Sequence, residues 1–217
     1  MENDKYRKEI NKIFNEMMKM GKAAEKAIED SVKSLLVRDR DLAQSVISND
    51  KIIDDLCKKI ENDCLRVLLL DKPFANDFLE VSAALKMITD LERIGDYAVD
   101  IAEEVVSFPL DVPFIKKLEH IPLMANIVVS MVEDSINFYI NKDVKGARML
   151  DKRDDKVDEL FLLIKNELIQ KIKEKGDNSD QAIIFMIIAK YLERIGDHAV
   201  NIGEWVDYSI TGSHLIS

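Results

Sequence analysis

Apolar residues recur every three or four positions along most of the chain. The first run is Ile10, Ile13, Phe14, Met17, Met20, Ala24, Ala27, Ile28, Ser31 and Leu35. That is the spacing of one buried helix face, and it predicts a helix over 4–37. Arg38-Asp39-Arg40-Asp41 makes a polar corner, in which Asp39 or Asp41 caps the next helix. That second helix spans 41–70, with Leu42, Val46, Ile53, Leu56, Ile60, Cys64, Val67 and Leu68 on its inner side. It stops ahead of Lys72-Pro73, because the residue before a proline resists the helical region. Asp77 then caps a third helix over 78–106.

Ser107-Phe108-Pro109-Leu110-Asp111-Val112-Pro113 breaks the pattern and reads as a linker. Beyond it the scheme returns. A fourth helix covers 114–140, which Pro122 either kinks or truly begins. A fifth covers 143–175 and ends at Lys175-Gly176, a C-cap glycine. A sixth, capped by Asn178-Ser179-Asp180, covers 180–208.

The two halves share more than a helix count. Leu91-Glu92-Arg93-Ile94-Gly95-Asp96-Tyr97-Ala98-Val99-Asp100-Ile101 returns as Leu192-Glu193-Arg194-Ile195-Gly196-Asp197-His198-Ala199-Val200-Asn201-Ile202. Only the pairs Tyr97/His198 and Asp100/Asn201 differ, at an offset of 101 residues. At an offset of 104, Glu29-Asp30-Ser31 matches Glu133-Asp134-Ser135, and the segment 50–56 matches 154–160. Matches this dense mark an internal duplication. The change of offset puts a three-residue length difference between the second and third helix of each half. The expected fold is therefore all-α: two tandem three-helix bundles, one over 1–107 and one over 108–217.

Composition agrees and narrows the function. Apolar residues make up 47% of the chain, enough for a large core, while 7 Gly and 4 Pro leave little material for turns. The net charge of -10 disfavours nucleic acid and anionic lipid as partners. It suits cations or a basic protein surface. Met1-Glu2-Asn3-Asp4 lacks the start of a signal peptide, and no apolar run is long enough to span a membrane. Cys57 and Cys64 lie seven apart on one helix face and read as small core residues of a reducing compartment. The methionines read as core filler, and Trp205 as a packing residue.

The chemistry lies in the acids. The first half carries Asp50/Asp54 and Glu92/Asp96, each at i, i+4, with Asp100 beyond. The second carries Asp154/Asp158 and Glu193/Asp197, with Asn201 in the last place. Like charges at that spacing destabilise a helix, so a stripe of them points to a cation. If neighbouring helices bring the pairs together, the oxygen-only donors favour a hard ion: Mg, Ca, Mn or ferric iron. No Cys/His spacing for structural zinc is present, nor any nucleophile–base set or phosphate-binding glycine loop. Asn201 removes one charge, which makes the two sites unequal. A mid-helix glycine costs about 1 kcal/mol against Ala. Gly95 and Gly196 therefore mark close approach of a neighbouring helix or ligand. His198 beside Asp197 reads as a structural or surface residue.

The duplicated Leu-Glu-Arg-Ile-Gly-Asp phrase, the Asp-x-x-x-Asp segments and the two three-helix halves together resemble the PhoU family of phosphate transport accessory proteins, over nearly the whole chain. The resemblance implies a cytoplasmic homodimer, peripheral at the membrane through its transporter, without catalytic activity. It implies negative regulation of phosphate uptake and of the transcriptional response to phosphate starvation. Its implied partners are the ATPase of a phosphate ABC transporter and a sensor histidine kinase. It also implies metal ions, iron first with Mn, Mg, Ca and Zn as alternatives, on Asp50, Asp54, Glu92, Asp96 and Asp100, and on Asp154, Asp158, Glu193, Asp197 and Asn201. The rival reading is a metal-dependent hydrolase of phosphate esters or polyphosphate, or a metal-storage bundle.

Overall fold

The computed structural model describes residues 2–69, 75–108, 119–174 and 179–213. Among the described residues all regular structure is helical: α1 Glu2–Val37, α2 Arg40–Leu69, α3 Ala75–Ser107, α4 His120–Asn141, α5 Val144–Ala147, α6 Leu150–Glu174 and α7 Ser179–Thr211.

The corner after the first helix of each half is built twice in the same way. Arg38 and Lys142, 104 residues apart, both take the left-handed conformation, with φ of 55° and 57°. The next residue closes the turn: Asp39 N–H bonds Ser34 O, and Asp143 N–H bonds Phe138 O, both at 2.9 Å. Each aspartate then caps the helix it opens. Asp39 Oδ1 accepts from Leu42 N–H at 2.9 Å, and Asp143 Oδ1 from Gly146 N–H at 3.0 Å.

Several element bounds differ from the sequence reading. Asp77 and Asp180 sit inside the first turns of α3 and α7, where a negative charge still favours the helix end. Pro122 is the third residue of α4, a position whose missing N–H breaks no helical bond, so it marks the start and makes no kink. The expected fifth helix is two. After α5 the chain turns at Arg148 and Met149 before α6 begins, and Arg148 Nε pairs with buried Asp207 Oδ2 of α7 at 2.6 Å. Gly203 of α7 faces Leu150 and the Ala147 carbonyl at this break. Phe108 is no linker residue: it is buried, stacks on Phe185 with centroids 5.7 Å apart, and its carbonyl accepts from Arg40 at 2.6 Å. The linker residues 109–113, the start of the expected fourth helix at 114–118, Lys72-Pro73, Lys175-Gly176 and Asn178 lie outside the described residues.

One core runs through both halves. Helices α3 and α7 lie at its centre, and the repeated phrase explains why. Leu91, Ile94, Ala98 and Ile101 are buried, and so are Leu192, Ile195, Ala199 and Ile202. The charged letters of the phrase fall on the faces between. The two helices run antiparallel, since Asp90 meets His198 while Tyr97 meets Tyr191. Helices α1 and α4 are antiparallel too, for Phe14 meets Tyr139 and Lys22 meets Glu133. The halves are thus related by a near-twofold axis through the α3–α7 seam. Matched Ser31 and Ser135 are buried at the α1–α4 level, each hydroxyl donating to the carbonyl three residues back.

Candidate functional site

Helices α2 and α3 bring the first acid set together. Burial pushes the Asp50 carboxyl above its ordinary range, and the charges of Asp54, Asp96 and Glu92 push it the same way. Four carboxylates from two helices therefore share one neighbourhood. Asp100 is also raised, by burial first and then by Glu103 and Asp96. Asp50, Arg93, Asp96, Tyr97, Val99 and Asp100 line an open cleft of about 290 Å³. Its cations are few: Arg93 Nη1 lies 3.2 Å from Asp96, and Lys58 reaches Asp54 only at 4.0 Å.

The second set, on α6 and α7, is more tightly drawn. Asp154 is pushed up to about 7, by burial first and then by the charges of Asp197, Asp158, Glu193 and Asp151. Its Oδ1 is buried and accepts no hydrogen bond. Burial raises Asp158 and Asp197 as well, with Glu193 the next cause for both. Lys190 holds Glu193, and Arg194 lies 3.4 Å from Asp197.

The repeated glycines have a steric reason. A Cβ on Gly196 would overlap Asp154 Oδ1, and one on Gly95 would come 2.8 Å from Ile53 Cδ1. Each glycine admits the neighbouring helix at the level of the acids. This is the close approach that the glycines announce.

Asn201 turns away from the second set. Its amide donates to Asp90 Oδ1 on α3 at 3.3 Å, beside His198 Nδ1 at 2.8 Å from the same oxygen. His198 also packs on the Tyr97 ring, centroids 5.7 Å apart. Both residues therefore tie the two halves together across the seam. The sequence reading gave Asp90, Lys190 and Tyr191 no role. The signal was present: Asp90 and Tyr191 are matched positions at the 101 offset, and an antiparallel seam sets each against the other half's variable letter.

The donors fit a hard cation in chemistry, being carboxylates whose charged form burial and mutual repulsion make costly until a cation neutralises it. Asp154, with a buried oxygen and no partner, fits best. Among the described residues no three His, Cys, Asp or Glu side chains stand close enough to hold an ion as they lie. The residues that would hold it are Asp154, Asp158, Glu193 and Asp197 in one half, and Asp50, Asp54, Glu92 and Asp96 in the other. No described helix is long and apolar enough to cross a membrane. Cys64 is buried and Cys57 half-buried; burial pushes their thiols up to about 12 and about 11, the range of inert core cysteines.

Comparison with known proteins now decides the family. The family model of the PhoU domain matches residues 17–105 and again 121–206. The chain belongs to the PhoU family. A PhoU homolog of Clostridium acetobutylicum, a phosphate-specific transport system accessory protein, is 36% identical over 97% of this chain and 96% of its own. The PhoU homolog of Deinococcus radiodurans is 32% identical over 94% of this chain and 96% of its own. The crystal structure of PhoU from Pseudomonas aeruginosa superposes with a TM-score of 0.90 at 27% identity, over 96% of this chain and all of that one. The match of PhoU from Streptococcus pneumoniae, TM-score 0.89 at 23% identity, covers 98% of this chain and all of that one and speaks for the fold. The PhoU matches fall on the two repeats and leave 106–120 between them.

Proposed function

We propose that this chain is an accessory regulator of phosphate-specific transport, restraining uptake when phosphate is ample. It acts on the ATPase of a phosphate ABC transporter and on the sensor histidine kinase of the starvation response. It works as a cytoplasmic homodimer of two-bundle chains, reaches the membrane through the transporter, and performs no catalysis. The observation that carries this reading is likeness over almost the full length to accessory proteins of phosphate-specific transport. In its metal part the reading rests on Asp154, whose buried oxygen lacks a partner amid like charges. Iron is the first expectation for the acid sets. A ligand can shift the protein between partner-binding states only if it binds those states unequally.

Two experiments test the reading. Deleting the gene should raise phosphate uptake in phosphate-rich medium, and the purified chain should bind the transporter's ATPase. Normal uptake in the deletion strain together with no binding would refute the regulatory role. Elemental analysis of protein purified without added metal tests the cation sites. Glu92→Ala/Asp96→Ala and Glu193→Ala/Asp197→Ala should each remove part of the bound metal. Metal content equal in both variants and the unaltered chain would sink the assignment.

A further inference from the structure

The two halves differ at one place where the fold should make them alike. Between α1, α2 and α3 lies a hollow of about 110 Å³, walled by Ala23, Ala27, Val46, Ile53 and Val99, with Lys26, Asp30, Asn49 and Asp50 at its polar edge. At the offset of 104, the second half has Ile127, Met131 and Leu150 where the first has Ala23, Ala27 and Val46. Larger side chains thus take the apolar wall positions, and the polar edge differs as well. Arg153, the counterpart of Asn49, reaches from α6 to α4, where its guanidinium bonds Asp134 Oδ2 at 2.6 Å and also the Ser130 hydroxyl.

The first half keeps the acceptor and lacks the donor. Asp30, the counterpart of Asp134, has among the described residues only Lys26 of its own helix, at 2.8 Å. Lys26 is 72% exposed, so water screens this i, i+4 pair and it holds Asp30 only weakly. Asp30 itself is 21% exposed against 42% for Asp134, a drier acceptor with a weaker partner. The hollow is small: about 150 Å³ of apolar cavity takes up a benzene, so this one suits a short alkyl chain. Ile52, half exposed, adds an apolar rim of the kind a protein surface covers.

We propose that this hollow receives an arginine side chain of a protein partner, its stem against Ala23, Ala27 and Val46 and its guanidinium on Asp30 and Asp50. The chain's own second half supplies the precedent in Arg153. A guanidinium fits better than an ammonium here, because it is weakly hydrated and its planar fork matches a carboxylate. The alkyl stem covers the alanines while the head stays polar. Asp50 belongs also to the acidic cleft, so an occupied hollow places a positive charge against that acid set. The identity of the partner as the transporter ATPase rests on the function proposed above; the chemistry of the hollow does not.

Butylguanidinium is the probe, with butylurea as its neutral isostere. The full chain should bind butylguanidinium saturably by ligand-observed NMR. Butylurea, and the variants Asp30→Asn and Asn49→Arg, should bind at least about tenfold more weakly, the cost of one charged hydrogen bond. Asn49→Arg copies the second half, so it should fold with an unchanged or higher melting temperature while closing the hollow. It should also weaken binding to the purified ATPase by at least about tenfold. Absence of saturable butylguanidinium binding, or binding unaltered by Asn49→Arg, overturns the pocket. Equal ATPase affinity for Asn49→Arg and the unaltered chain overturns the arginine as the partner's anchor. If the unaltered chain does not bind the ATPase at all, the proposed function fails, and the butylguanidinium result still decides the pocket.

Discussion

Replacing Asp154 by Asn should stabilise the metal-free protein at pH 8 and do almost nothing at pH 3. Asp154 titrates near 7 in the fold against 3.8 in the unfolded chain. The folded state therefore binds the proton more tightly, and this acid's contribution to stability is greatest below about pH 4. It declines as pH rises and is lost once pH passes about 7. A shift of that size would equal about 4 kcal/mol if fully expressed. Asp154 is only half-buried, so water screens much of it, and about 1–2 kcal/mol is the working figure. That corresponds to roughly 2–8 °C in the melting temperature of a chain this size. The assay is urea denaturation with chelator present, at both pH values, for the unaltered chain and Asp154→Asn. A stability difference that is the same at both pH values would refute the reasoning, as would a variant less stable at pH 8. If this acid set holds the metal proposed above, adding that metal should reverse the order, because the charged carboxylate gains the ligand's RT ln(1 + [L]/Kd).

The packing sets three further outcomes. Leu91→Ala and Leu192→Ala, each fully buried at matched positions of the central helices, should each cost about 2–5 kcal/mol. Because both halves share one core, each should lower a single unfolding transition. Two separate calorimetric peaks would contradict the shared core. Asp39→Ala and Asp143→Ala should cost about 1 kcal/mol apiece by loss of a helix cap, and a change below about 0.3 kcal/mol in both would show that the corners hold without them. Tyr139→Phe removes a buried 2.7 Å hydrogen bond to the Glu80 carbonyl and should cost about 1–2 kcal/mol by chemical denaturation; an equal or higher midpoint would count against it.

The helices and the pairing of the acids were legible in the sequence because both are periodic. A 3.6-residue repeat carries Leu91 and Ile94 inward, and it sets Glu92 and Asp96 together on another face. The duplication did the rest, since a pattern written twice separates signal from accident. What escaped depends on tertiary partners. The break at Arg148 and Met149 leaves no proline or glycine signal at the turn itself; the ion pair formed there is with Asp207 on α7, 59 residues beyond Arg148. Asn201 reads as a weakened metal donor until the antiparallel seam sets Asp90 opposite it. Phe108 sits beside prolines and so reads as linker, yet Phe185 and Arg40 hold it inside. The unequal status of the two acid sets was visible only as one missing charge, whereas in the fold it is a matter of burial at Asp154.

The antiparallel seam bears on where such a chain comes from. A polypeptide ending after α3 would leave the apolar faces of α1 and α3 uncovered, and a twofold rotation would lay those faces on a second copy of themselves. That is an isologous interface, the kind by which most small homodimers close. Joining two such chains end to end makes their association independent of concentration. It also frees each side to change alone, as one polypeptide need no longer fit its own image. His198 opposite Asp90 while Tyr97 lies against Tyr191, and Arg153 where the other half has Asn49, are substitutions that an identical pair could not hold one at a time.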